Sequence, residues 1–151
     1  MDSTLSTFLI IGLVVVASAA GLVWRATRSR VTTPTGSGDT PRVPAHYLAT
    51  GKALTMLQVS APLCSYCGAM RAILTAAAER DFQVGHVEYD VARIPDVIES
   101  FGIRQTPTTL LVAASGEVLF TLHGPTPASV VRNHIQRAFQ EIHRRSDEYR
   151  I

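Results

Sequence analysis

An α/β domain preceded by one N-terminal transmembrane helix is the architecture that this 151-residue sequence predicts, on three observations. The stretch from Ser3 to Trp24 carries no charged residue, and about 20 helical residues at about 1.5 Å each match a hydrocarbon core of about 30 Å. From Ala53 onward, strand-like and helix-like runs alternate in the order β-α-β-α-β-β-α. Between these two parts lies RATRSRVTTPTGSGDTPRVP, rich in Thr, Ser, Gly and Pro and almost free of large apolar residues, which is the composition of a tether. Residues 5–24 are therefore read as the anchor, 25–44 as a flexible linker, 45–145 as the folded domain and 146–151 as a charged tail.

The N-terminal run has a competing reading as a cleaved secretory leader, because Ala17, Ser18 and Ala19 offer a small-residue cleavage pattern. Such a leader carries a basic n-region. Here the residues before the run include Asp2 and no Lys or Arg, which favours a retained span. Arg25, Arg28 and Arg30 follow it, and the positive-inside bias then puts the C-terminal domain on the cytoplasmic side, with the extracytoplasmic side as the alternative.

Within the domain, Ala53 to Ala61 is a short, mostly apolar run before a proline, suited to a strand buried on both faces. An alanine-rich helix is expected from about Ser65 to Arg80, with Cys67, Met70, Leu74 and Ala77 on one stripe. Phe82 to Asp90 reads as a second strand, and Ile94 to Ser100 as a short helix ended by Phe101 and Gly102. Thr108 to Gly124 gives two β-rich runs joined at Ala114 to Gly116, the spacing of a hairpin. A last amphipathic helix runs from about Thr126 to Arg145, with Thr126 a candidate N-cap and Pro127 in its first turn.

Charge removes one class of partner. Residues 43–151 hold ten Lys or Arg and ten Asp or Glu, so the domain offers no basic face for nucleic acid.

The two cysteines, Cys64 and Cys67, are the only ones in the chain and stand at the junction of the first strand and the long helix. Helix N-termini present free N–H groups and the positive end of the macrodipole, which stabilise a thiolate at Cys64. Cys67, about one turn later, is placed to attack a mixed disulfide formed by the first sulfur. A structural zinc site needs four protein ligands, and neither a second C-x-x-C nor an H-x-x-H is present. Two thiolates alone suit a soft ion such as Cu(I), which keeps a copper-carrier reading open beside exchange.

The strand, the C-x-x-C opening a helix, the strand ending in Asp90, and the segments FGIRQTPTTLLV and SGEVLFTLHG together resemble the thioredoxin family. The likeness runs from about Ala53 to Phe139. It implies a thioredoxin fold, a central mixed sheet flanked by helices. It further implies Cys64 as the attacking cysteine, Cys67 as the resolving one, and a cis peptide before Pro107. By the same resemblance Thr106 is the candidate for backbone contact with a substrate strand. Tyr66, between the cysteines, is either a rim contact for substrate or a cover for apolar surface.

Departures from the family pattern are equally specific. Leu63 stands where thioredoxins usually have Trp, Ser65-Tyr66 replaces Gly-Pro, and Gln58 replaces the usual buried acid. Gln cannot serve as a general base. His86 lies where some thioredoxins carry a lysine, and its reading stays open between tuning Cys67 and an ordinary strand histidine. The expected function is a membrane-tethered thiol-disulfide oxidoreductase acting on protein dithiols and disulfides. It needs a redox partner, a reductase or an oxidant, and no cofactor or metal. The alternative is a noncatalytic adaptor or copper carrier using the same two thiols.

Overall fold

The computed structural model describes residues 3–27, 31–32 and 41–148. The N-terminal residues form helix α1, Ser3–Thr27. Its described side chains, at positions 8 and 10–21, include the exposed Phe8, Ile10, Ile11, Leu13, Val14, Val15 and Val16. Among the described residues no helix is long and apolar enough to cross a membrane. Arg28 and Arg30 lie outside the described residues, as do residues 149–151 of the expected tail.

The domain is a five-stranded mixed sheet in the order β1-β5-β4-β2-β3, made of β1 (Val31–Thr32), β2 (Leu54–Ser60), β3 (Val84–Asp90), β4 (Thr108–Ala113) and β5 (Val118–His123). Strands β2 and β3 are parallel, as a crossover through helix α2 (Cys67–Arg80) requires. The pairs β2–β4, β4–β5 and β1–β5 are antiparallel. Helix α3 is Pro95–Ser100 and helix α4 is Ala128–Glu148.

Two apolar clusters sit on opposite faces of the sheet. On one, Leu54, Met56, Leu111 and Leu122 pack with Met70 and Leu74 of α2 and Val131, Ile135 and Ala138 of α4. On the other, Leu57, Val59, Leu110 and Val112 pack with Val97 of α3 and with Val43, Ile94 and Ile103. Strand β2, between β4 and β3, is buried on both faces, as its mostly apolar run predicts.

Three boundaries differ from the sequence expectation. Val31 and Thr32, inside the stretch read as a linker, pair with Leu122 and Thr121 at the edge of β5. Val43 is buried and donates its N–H to the Gly116 carbonyl at 2.7 Å, and Arg42 bridges Glu117, so the ordered domain starts before Pro44. Gly116, at φ 84°, turns the hairpin there; a Cβ on it would meet the Val43 carbonyl at 2.5 Å, so only glycine fits. The remaining linker positions, 28–30 and 33–40, lie outside the described residues. Thr126 directs its hydroxyl to the Gly124 carbonyl at 3.2 Å and α4 opens at Ala128, so the expected N-cap is a turn residue. Finally, α2 starts at Cys67, two residues later than expected, because Cys64 to Tyr66 form the turn that leads into it.

Candidate functional site

Beyond Ser60 the chain leaves the sheet and turns at once. The Cys64 N–H donates to the Ala61 carbonyl at 3.1 Å, and the Cys67 N–H donates to the Cys64 carbonyl at 3.3 Å. Cys64 therefore sits one turn ahead of α2, with its carbonyl bonded to the helix's first N–H, and Tyr66 occupies the N-cap position without a side-chain cap bond. The two sulfurs form a disulfide, with Cα atoms 5.4 Å apart. Their surroundings differ: Cys64 is half-buried and Cys67 is 4% exposed. Cys64 is therefore the more open of the two residues to a partner.

Strand β4 begins at the same end of the sheet. Its Thr108 is level with Val59 in the antiparallel register, so Pro107 lies beside the point where β2 gives way to the cysteine turn. The Thr106–Pro107 peptide is cis, the form that the resemblance implies. Pro107 is buried and its carbonyl accepts the Gly124 N–H at 2.8 Å, while Thr108 Oγ1 donates to the Gln105 carbonyl at 2.8 Å. Thr106 is half-buried, and among the described residues its peptide groups make no hydrogen bond. The turn is thus held on both sides of Thr106, leaving that residue's own backbone open. Leu63 is 99% and Tyr66 54% exposed, so both flank the half-buried Cys64 as apolar rim.

Beneath Cys67 lies a polar line whose members Gln58 and His86 the sequence singles out without linking them. Gln58, read there only as the loss of an acid, is fully buried and donates its Nε2–H to the Cys67 carbonyl at 3.0 Å. Its Oε1 lies 3.2 Å from His86 Nε2, and His86 Nδ1 lies 3.2 Å from Thr75 Oγ1. Burial pushes the His86 proton affinity down, the Glu88 carboxylate opposes this, and Arg71 adds to it. Arg71 and Glu88 form an ion pair whose Nη2–Oε1 contact is 2.9 Å; its hydrogen bonds hold the Glu88 carboxyl below its ordinary value. The signal was the polar Gln58 inside an apolar strand, in step with Met56 and facing α2.

His46, His134 and His143 stay apart from this site, while His123 stands opposite Thr108 at the end of β5. His134 and His143 bond the Val130 and Phe139 carbonyls one turn back on α4, and His46 stacks on Tyr47. Among the described residues no three His, Cys, Asp or Glu side chains are grouped to hold a metal ion.

The thioredoxin family model matches residues 45–137. The chain belongs to the thioredoxin family. No curated protein sequence matches it significantly. Among solved structures, thioredoxin NaTrxh from Nicotiana alata is similar at a TM-score of 0.52 and 21% identity, over 68% of this chain and 97% of that one. The oxidised mitochondrial thioredoxin 3 of Saccharomyces cerevisiae superposes at a TM-score of 0.51 with 21% identity, over 58% of this chain and 80% of its own. A mutant thioredoxin from Halobacterium salinarum gives 0.52 and 20%, over 57% and 74%. At these identities the structural likeness establishes the fold. With its disulfide-forming Cys64–Cys67 pair at the head of α2, this thioredoxin domain is a thiol-disulfide oxidoreductase.

Proposed function

We propose that the chain exchanges disulfides with protein substrates at a membrane surface, Cys64 attacking and Cys67 resolving. The observation that carries the assignment of roles is the unequal burial of the two cysteines, half-buried Cys64 against Cys67 at 4% exposure. An attacking thiolate must meet a sulfur on another protein, and a resolving one need only reach its neighbour. In the reductive direction, Cys64 attacks a substrate disulfide and releases one substrate thiolate. Cys67 then attacks the Cys64 sulfur, the mixed disulfide breaks, and the second substrate thiolate leaves.

Substrate recognition falls to the rim. The open peptide groups of Thr106 suit an extended substrate segment lying across the cis-Pro107 turn. Leu63 and Tyr66 supply the apolar contact beside it. Replacing Cys67 with Ser leaves Cys64 no partner, so C67S should accumulate mixed disulfides in cell extract that reducing agent releases and a Cys64, Cys67 double variant lacks. A C67S chain that captures nothing would refute these roles. Stoichiometric Cu(I) uptake by the reduced chain without turnover of a protein disulfide would instead favour a carrier.

The tether rests on the charge-free run from Ser3 to Trp24. The arginines that follow favour a cytoplasmic domain. A membrane-impermeant thiol reagent on intact cells tests this: Cys64 should stay unlabelled until the cells are opened, and labelling of intact cells would reverse the orientation.

A further inference from the structure

Behind the cysteine turn, three polar side chains make a continuous line from α2 through the sheet to the backbone of Cys67. The Cys67 carbonyl takes an N–H of the Gln58 carboxamide at 3.0 Å, which fixes the amide's orientation and leaves its oxygen facing His86 Nε2 at 3.2 Å. An amide oxygen only accepts, so Nε2 carries a proton. Thr75 Oγ1, 3.2 Å from Nδ1, donates to the neutral ring and accepts from the imidazolium. His86 therefore keeps both partners in either protonation state and titrates without breaking the line. The charged groups facing it are Glu88, two residues along β3, and Arg71 from α2, which are paired with each other; from β2 it meets the neutral Gln58.

Given the exchange chemistry proposed above, we propose that His86 is a positioning residue for Cys67, acting through Gln58 so that its protonation favours the Cys67 thiolate. During resolution Cys67 loses its proton to water and its sulfur bonds to Cys64 Sγ. The bond between Cys64 and the substrate sulfur breaks, and that sulfur leaves with the electron pair. A protonated ring polarises the carboxamide, and its N–H then offsets more of the negative end of the Cys67 peptide dipole. The ring also adds a positive charge behind the residue. Gln58 takes up no proton itself, so the line transmits field and geometry and carries no proton. A charge beyond direct contact shifts a neighbouring ionisation by less than a full pK unit, which sets the effect at about three-fold.

The test is stopped-flow mixing of the reduced full chain with the aromatic disulfide DTNB between about pH 4 and pH 8, which covers the ordinary histidine range and the lower values toward which burial pushes His86. Attack by Cys64 releases one aromatic thiolate, and resolution by Cys67 releases a second. As the wild-type chain is acidified, the second release should slow by less than tenfold per pH unit where His86 takes its proton. H86Q keeps an N–H for Gln58 but cannot titrate, so its second release should fall without that relief and end about three-fold slower, with the first release unchanged. Superimposable second-release profiles for wild type and H86Q would overturn the proposal. Without any substitution, the NMR shift of the Gln58 side-chain amide should follow the His86 titration; an amide that stays still while the ring titrates also overturns it. A chain that gives no second release at any pH would sink the exchange reading itself, and the proposal with it.

Discussion

Leu57 and Gln58 are neighbours in β2 and both are 0% exposed, yet they face different environments. Leu57 enters the cluster of Val59, Ile94, Leu110 and Val112, where the nearby polar residues Thr55 and Thr108 bond the backbone of adjoining loops. Gln58 faces α2, level with Thr109 on β4 and Glu88 on β3, and reaches the Cys67 carbonyl. On the α2 side, sheet polarity gathers at the end beside the cysteines, while Leu54 and Met56 at the other end of β2 join an apolar core. The difference assigns the α3 face to holding the domain together and the end of the α2 face to holding Cys67 in place.

The largest break of that division is at the sulfur itself. Cys64→Ser should reduce turnover of a protein disulfide to background, while leaving unfolding by urea close to that of the reduced wild type; residual turnover would shift the attack to Cys67. Next comes the apolar face. Leu110→Ala empties a fully buried site and should cost about 2–5 kcal/mol in urea unfolding, with the rate of Cys64 attack unchanged at a temperature where the variant is folded. An equal loss in attack rate would show that the two faces are not separable. On the polar face the sign reverses: Thr109 Oγ1 is buried without a hydrogen-bond partner among the described residues. Thr109→Val should therefore stabilise the domain by about 1 kcal/mol, and a destabilisation would mean that the hydroxyl is paired in solution.

The sequence carries these two faces unequally. Strand and helix order, the hairpin and the amphipathic α4 are legible because their apolar residues recur at periods of two or near four. The cysteine pair and the Thr106–Pro107 turn were legible because their residue types are chemically narrow. What escaped depends on register. Nothing in the spacing of Gln58 and His86 says that parallel pairing of Met56 with His86 sets them diagonally adjacent. Val31–Thr32 escaped for a related reason, since two residues in a polar stretch have no period to read, and their place is set by the free edge of β5.

The smallest effect belongs to the far end of α4, remote in sequence from the cysteines. Glu141 accepts hydrogen bonds from Arg144 and Arg145, and Arg145 also pairs with Glu117 at the hairpin, so the helix end is tied to the sheet. These bonds, chiefly from Arg144 and then Arg145, lower the Glu141 carboxyl from 4.5 to about 2. A depressed carboxyl contributes stability that is present above its unfolded value and lost as pH falls through the folded one. The pair's contribution is thus full above about pH 4.5 and gone near pH 2. Because the side chains are solvated, screening holds it to about 1 kcal/mol or less. Glu141→Gln should lower urea stability by that amount at neutral pH, with the gap to wild type closing on acidification and narrowing in high salt. The Cys64 attack rate should not change. A gap that persists at pH 2 would locate the effect in packing of the side chain, and a change in attack rate would connect this end of α4 to the cysteine turn.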